Sequence, residues 1–424
     1  MLSSVLIIFF VLLILGVPVA HVVLAAATSG ILMKGGDGTI IAQQLVLGAN
    51  SYILLAVPFF IVSGDIAAKG NTSEKIVNAI NAFLGRVRGG LGIATIFACA
   101  VFGAITGSAM ACVVAIGALM LPKLLERGYP RLLVIGILTC AGTLGVMIPP
   151  SIPMLQIAIA MRTSVGAQFT AGFIPGLLTA ALMSIYVYFV AKKMNLPIEE
   201  KVPFRQKMKI LKDSFWALMF PVIILGGIYS GLTTPTEAAV VSVFYVIFVE
   251  LVIYRTIKVK DLYRIIGASV VNAATLTLTI ATAQVFVWLL TTEKVPLMLY
   301  EAITATITNR YVLLFALCGL FFIVGCFTNV ATVVIILGPM LLPVLQYFEI
   351  NLIQFGILAV MMAQIGFITP PFGLCLFVSM KMAKSSMGEV IRGSYPFIIA
   401  MFAATLLLLF IPQLSTFLPD LIFK

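Results

Sequence analysis

The sequence predicts an all-α polytopic membrane protein, built as an inverted repeat with two re-entrant helical hairpins. Three observations predict it. Apolar segments recur from end to end, basic residues are confined to alternate connections, and a pattern of Gly and Pro returns after 221 residues.

The 424 residues are 62% hydrophobic and 10% charged, with a mean hydropathy of +1.18. Soluble domains are about half apolar and about a quarter charged. Apolar stretches of about 20 residues are the length of bilayer-crossing helices, and they lack the period-2 alternation of a β-barrel. The longest polar stretch, 192–213, leaves no room for a soluble domain. The first apolar run has no basic residue ahead of it and exceeds a signal peptide core of about 7–15 residues, so it reads as a membrane helix. Six cysteines (Cys99, Cys112, Cys140, Cys318, Cys326, Cys375) lie inside apolar segments. That suits small buried hydrophobes better than disulfides or a metal site. The net charge of +11 raises the question of nucleic acid, and the placement of the charge argues against it.

Connections 69–88, 123–131, 192–213, 255–264 and 381–392 hold 21 of the 26 Lys and Arg but 7 of the 15 acids. The positive-inside rule places all five in the cytoplasm. Lys34, Arg162, Lys294, Arg310 and Lys424, with acids such as Asp37, Glu293, Glu301, Glu349 and Asp420, then face the periplasm. The N-terminus falls inside and the C-terminus outside. Because 69–88 and 123–131 share a side, the stretch 89–122 crosses twice or not at all. Two crossings and a turn need roughly 40 residues. A re-entrant hairpin, interrupted by Gly103, Thr106, Gly107 and Ser108, fits better, and such a break must line a protein or aqueous cavity.

Shifted by 221 residues, Pro122 meets Pro343, Gly145 meets Gly366, and Pro149 and Pro150 meet Pro370 and Pro371. Gly172 meets Gly393, and Pro175 meets Pro396; with one residue of slack, Gly103 and Thr106 meet Gly325 and Thr328. Charge inverts the copies. Lys123, Arg127 and Arg131 correspond to 344–352, which carries one acid, Glu349, and no base. The lone Arg162 corresponds to Lys381, Lys384 and Arg392. The first copy, 1–191, holds scaffold helices within 5–68 (spans 5–32 and 51–68), an arm at 72–86, the hairpin 89–122, a broken span 132–161 and a helix 173–191. A cytoplasmic basic loop, 192–214, leads to a connecting helix, 215–232, unmatched in the first copy. The second copy, 233–424, holds scaffold spans within 237–291 (237–254 and 268–291), an arm at 296–308, the hairpin 311–343, a broken span 353–380 and a helix 395–412.

Paired Gly/Pro-interrupted helices in inverted repeats place a transport site near the midplane, between the copies. The first tip reads Gly103-Ala-Ile-Thr106-Gly-Ser108, and the first break Gly142-Thr-Leu-Gly145-Val-Met-Ile148-Pro149-Pro150-Ser151. Proline removes backbone donors and frees carbonyls upstream. Carbonyls and hydroxyls are hard oxygen ligands suited to Na⁺. The helix restarting after Ser151 turns its N-terminus to the cavity, where a carboxylate is favoured. The second copy offers Gly325-Cys-Phe-Thr328-Asn329 and Gly366-Phe-Ile-Thr369-Pro370-Pro371, hence two cation sites. Small residues also serve helix packing in membranes; four interrupted motifs in one register favour the functional reading. Elsewhere the plainer reading prevails. His21, the only histidine, reads as packed or hydrogen-bonded beside the Gly16–Pro18 kink. Glu237 reads as part of a capping box with Thr234 and Pro235, and Asp65 and Glu250 as interfacial.

These motifs, together with Leu55-Ala-Val-Pro58-Phe-Phe, Ala171-Gly-Phe-Ile-Pro-Gly176 and Thr234-Pro-Thr-Glu-Ala-Ala239, cover essentially the whole chain. The chain resembles the large membrane subunit of tripartite ATP-independent periplasmic (TRAP) transporters of the C4-dicarboxylate, DctM-like type. The resemblance implies an ion-transporter-type, elevator-like fold and sodium-coupled uptake of a small organic acid. It implies three further partners: a small four-helix membrane subunit, a periplasmic substrate-binding protein, and the lipid bilayer of the inner membrane. It implies one Na⁺ among Gly103, Thr106, Gly145, Ile148 and Pro150, and a second among Gly325, Thr328, Gly366, Thr369 and Phe372. It places substrate at Thr106, Ser108, Ser151 and Asn329. The family often has Ser at the position of Thr106, which keeps the hydroxyl. It often has Asp at the position of Asn329, which bears on substrate preference or coupling. The rival reading is a sodium- or proton-coupled carboxylate carrier that works alone. A channel is disfavoured by the inverted repeat. An enzyme is disfavoured because no nucleophile–base pair or metal cluster stands out, and an ATP-driven pump because the phosphate-binding loop is missing.

Overall fold

The computed structural model describes residues 1–198 and 203–423; residues 199–202 of the basic loop, and Lys424, lie outside the described residues. Among the described residues the fold is all-α. Seven helices are long and apolar enough to cross a bilayer, or nine if two sharply bent pairs each count as one span.

The offset of 221 residues recurs in the helix pattern. The hairpin Gly90–Thr106 and Ala109–Glu126 matches Arg310–Phe327 and Val330–Tyr347. The broken pair Arg131–Gly142 and Ile152–Ala160 matches Leu352–Phe367 and Leu374–Ala383. The arms are Thr72–Leu84 and Val295–Thr306, and the closing helices Val165–Lys193 and Met387–Phe410. One difference lies in the scaffold. Gly38–Ala49 and Ile53–Lys69 meet at 63°, whereas the second copy runs straight through as the 34-residue helix Val259–Thr292.

The opening run departs from the expected single span at 5–32. It forms two helices, Leu2–Ile14 and Val19–Met33, separated by Gly16 at φ +77° and Pro18. They lie side by side: a Cβ on Gly30 would sit 2.8 Å from Val5 Cγ2. In a straight helix those residues would stand about 37 Å apart. The run therefore folds back, and Leu2–Ile14 starts on the side of Lys34, opposite to the cytoplasmic start expected. The same motif opens the second copy. Phe215–Tyr229 packs antiparallel to Pro235–Phe248: the Ala217 N–H donates to the Tyr254 hydroxyl at 3.1 Å, and the Tyr245 hydroxyl to the Trp216 carbonyl at 2.7 Å. The helix expected to be unmatched thus has a counterpart in Leu2–Ile14. With Leu2–Ile14 counted, the two copies hold the same set of elements, and no span is left unmatched.

Connections assigned to one side meet there. The Arg131 guanidinium donates to the carbonyls of Ala383 at 2.6 Å and Lys384 at 3.0 Å. The Ser214 hydroxyl donates to the Lys75 carbonyl at 2.9 Å. On the other side Lys34 and Glu293 form an ion pair.

The core centres on the broken helices, with every residue from 133 to 158 and from 354 to 368 buried. Large apolar side chains that remain exposed, such as Phe189, Phe244 and Phe410, lie on the outer spans, where lipid is the solvent. His21 is exposed, not packed. Glu250 is fully buried, and its partners belong to the connections 69–88 and 255–264. Its carboxylate accepts from the Asn71 N–H at 3.0 Å, the Thr72 N–H at 2.9 Å, the Thr72 hydroxyl at 2.6 Å and the Thr256 hydroxyl. It therefore caps the arm Thr72–Leu84, which has no side-chain cap of its own.

Candidate functional site

The first hairpin limb ends because Gly107 adopts the left-handed region, φ +58°, which costs a glycine little. The second limb restarts at Ser108, whose Oγ accepts from the Ala111 N–H at 3.4 Å. The broken helix passes through a tight turn, Thr143–Val146, to a cis Pro149-Pro150 bond and restarts at Ser151. The Ser151 Oγ accepts from the Met154 N–H at 3.4 Å and donates to the Val146 carbonyl. Tip and break are in backbone contact. A Cβ on Gly145 would lie 2.6 Å from the Gly103 carbonyl oxygen, and one on Gly103 would lie 2.8 Å from the Gly145 nitrogen. The buried Thr106 hydroxyl donates to the Gly103 carbonyl at 3.3 Å and stands 3.4 Å from the Ser108 carbonyl. Gly103, Thr106 and Gly145 are thus brought together, and Ile148 and Pro150 follow in the same buried break.

The second copy repeats the contact. A Cβ on Gly366 would meet the Cys326 nitrogen at 2.8 Å, and one on Gly325 the Ala363 Cα at 2.8 Å. The Thr369 hydroxyl donates to the Ile365 carbonyl at 2.7 Å. The Gly373 N–H donates to the Cys326 carbonyl at 3.3 Å, and the Phe372 and Phe327 rings lie 5.6 Å apart. Thr328 is 8% exposed, and its Oγ1 has no hydrogen-bond partner among the described residues. The two sites differ in access: 142–151 is buried throughout, while Pro370, Pro371 and Phe372 are exposed.

The residues expected at substrate are all helix starts or beside one. Asn329 Oδ1 accepts from the Thr332 N–H at 2.9 Å and the Thr332 hydroxyl at 3.0 Å, so its amide NH₂ is left to donate elsewhere. Ser151 is fully buried with its hydroxyl used in both directions. In this conformation Ser108 and Asn329 are part-exposed, whereas Thr106 is buried like Ser151. Two features were missed. The Gln364 amide donates to the Thr143 carbonyl and so joins the two breaks directly. A cavity of about 570 Å³ opens between the scaffold and the Ile152–Ala160 and Val330–Tyr347 helices, with Gln156, Arg162 and Trp288 in its wall. None of the expected site residues lines it.

Two inverted copies, each closing a hairpin tip on a broken helix at buried glycines, define a membrane transporter of the broken-helix class. The comparisons give the family. The profile described as "Tripartite ATP-independent periplasmic transporter, DctM component" matches residues 6–414. The ectoine TRAP transporter large permease protein of Halomonas elongata is 34% identical over 416 residues, 97% of each chain. The C4-dicarboxylate TRAP transporter large permease protein of Pseudomonas aeruginosa is 36% identical over 380 residues, covering 90% of this chain and 89% of that one. The 2,3-diketo-L-gulonate TRAP transporter large permease protein of Escherichia coli is 32% identical over 401 residues, 94% of each. Among solved structures, the YdaH transporter of Alcanivorax borkumensis shares the fold at a TM-score of 0.64 and 15% identity, covering 88% of this chain and 87% of that one. The chain belongs to the DctM component family of the tripartite ATP-independent periplasmic transporters. It is a multi-pass subunit of a bacterial inner-membrane transporter and not an enzyme.

Proposed function

We propose that the chain is the translocating subunit for sodium-coupled uptake of a small organic acid. It takes its substrate from a periplasmic binding protein and works beside a small four-helix membrane subunit. The observation that carries the sodium reading is the pair of glycine contacts that press hairpin tips onto broken helices, Gly103 on Gly145 and Gly325 beside Gly366. The first sets the Thr106 hydroxyl beside the Gly103 and Ser108 carbonyls, and in the second copy the Thr369 hydroxyl meets the Ile365 carbonyl; hydroxyls and carbonyls are hard oxygens that suit Na⁺. Gly103, Thr106, Gly145, Ile148 and Pro150 would hold one ion, and Gly325, Thr328, Gly366, Thr369 and Phe372 the other. The partnerless Thr328 hydroxyl fits such a role. Bound cations would supply charge next to a substrate carboxylate. The chain itself contributes the Asn329 amide, the Ser108 and Thr106 hydroxyls, and the helix start at Ser151. The relatives' names, which span ectoine, C4-dicarboxylate and 2,3-diketo-L-gulonate at 32–36% identity, support a small organic solute of this kind. A C4-dicarboxylate or related acid is the substrate proposed. The hairpins and broken helices would move as a unit past the scaffold, in an elevator motion.

Thermal unfolding of the purified protein in NaCl, KCl and choline chloride at equal ionic strength tests the coupling. A ligand at 100 times its Kd stabilises the native state by about 2.7 kcal/mol. The expected result is a saturable, Na⁺-selective rise in melting temperature, weakened by Thr106→Ala and by Thr369→Ala. Equal curves in the three salts would remove sodium coupling. Uptake into liposomes by this chain alone would instead favour a carrier that needs no binding protein.

A further inference from the structure

The 570 Å³ cavity is lined by none of the tip and break residues, and its wall includes Arg162 and Thr291, which charge placement makes periplasmic. Its size is that of a small-molecule site, and its wall is mostly apolar with a few polar groups. One of those groups is unusual. Gln156 is 1% exposed, and neither its Nε2 nor its Oε1 has a hydrogen-bond partner among the described residues. A buried amide without partners is costly, and membrane helices rarely carry one without a reason. Gln156 stands on Ile152–Ala160, the helix that restarts after the first break, one turn beyond Ser151. Its helix face, with Ile159 and Ala160, forms one wall of the cavity, and Gln284 and Trp288 of the scaffold are in the wall too. Arg162 adds an exposed guanidinium to the lining.

We infer that this cavity is an outer binding site for the transported organic anion, occupied before the midplane site. Arg162 takes a carboxylate. The Gln156 amide, with its NH₂ donors and its carbonyl acceptor, takes a hydroxyl or carbonyl group of the same molecule. The apolar wall and Trp288 cover the carbon skeleton. The inference rests on the organic-acid reading above but not on the sodium sites, since none of their residues lines the cavity.

Trp288 reports on it directly. The chain has two tryptophans, so Trp216→Phe leaves Trp288 as the only one. That variant, in lipid nanodiscs and choline chloride, is titrated with malate, succinate, 2,3-diketo-L-gulonate and ectoine while Trp288 emission is followed. A saturable change with at least one compound is expected. Its apparent Kd should rise tenfold or more in Gln156→Leu and in Arg162→Gln. Because the amide has no protein partner, Gln156→Leu should also unfold at a higher temperature than its parent. An amide that only held the fold would give a lower one. Emission that ignores all four compounds, or variants that titrate like the parent, would overturn the outer site. Uptake of the same compounds with both partner proteins is measured alongside. Uptake with silent Trp288 removes the outer site alone, and no uptake of any compound removes the organic-acid reading with it.

Discussion

Glu250 offers a quantitative test of how the first arm is anchored. Its two oxygens accept four hydrogen bonds: the Thr72 N–H and hydroxyl on one, the Asn71 N–H and Thr256 hydroxyl on the other. Glu250→Gln keeps the shape and one acceptor oxygen. The new NH₂ must face one of the two backbone N–H groups, which cannot turn away, whereas the hydroxyl beside it can rotate and accept. One buried donor is left unpaired, at a cost of about 1–3 kcal/mol. Loss of the negative charge at a helix N-terminus adds roughly 0.3–1 kcal/mol, or somewhat more when buried. The expected penalty is about 2 kcal/mol, falling on the start of Thr72–Leu84. Hydrogen exchange reads it locally: a loss of about 2 kcal/mol should speed exchange of the Asn71 and Thr72 amides roughly 30-fold. Amides in the second arm, Val295–Thr306, serve as the internal control. Unchanged exchange at Thr72 in Glu250→Gln would refute the capping argument and reduce Glu250 to a packing residue.

Three further outcomes follow from the geometry. Gly145→Ala places a methyl group against the Gly103 backbone, and overpacking of this kind costs about 1–3 kcal/mol; thermal unfolding should show the loss, and the Na⁺-dependent rise should vanish with it. Thr234→Ala removes half of the capping box with Glu237 and should cost about 0.5–2 kcal/mol by chemical denaturation. Asp37, outside the spans, is held below the ordinary carboxylate range by the Thr39 hydroxyl and then by the Thr39 N–H. Its contribution is therefore full above the unfolded value of about 4 and lost as the pH falls through the lower folded one. The gap in melting temperature between the parent and Asp37→Ala should be present at pH 6 and narrow on acidification below pH ~4.

Much of the architecture was written in Gly and Pro. Gly103, Gly145, Gly325 and Gly366 mark backbone contacts that no side chain would permit, and the paired prolines mark where helices stop. Such residues are legible because their effect is local. The fold-back of 5–32 carried the same kind of signal, Gly16 and Pro18, but hydropathy masked it. A straight helix over those 28 residues would be about 42 Å long, against a core of about 30 Å, and that excess length was the available clue. Glu250 and Gln156 were out of reach for a different reason. Their partners, or lack of them, depend on how segments distant in sequence pack, as with Glu250 and Thr72, 178 positions apart. The capping residues fall between: Thr234 and Glu237 are legible as a box, whereas the capping bonds of Ser151 and Asn329 show only in the structure.

The hydrogen bond from Gln364 to the Thr143 carbonyl joins positions 221 residues apart, the interval that relates the two copies. Equivalent positions become neighbours only where a pseudo-twofold axis passes between them. A perfect dyad would set like against like there, donor facing donor or hydroxyl facing hydroxyl. Replacing the equivalent of Thr143 with a longer amide settles the direction of the bond and makes the axis polar. At the axis the first break therefore gives a backbone carbonyl and the second a side-chain donor, so the two halves are not equivalent there. One amide at the centre of the repeat is enough to make two otherwise matching halves distinct.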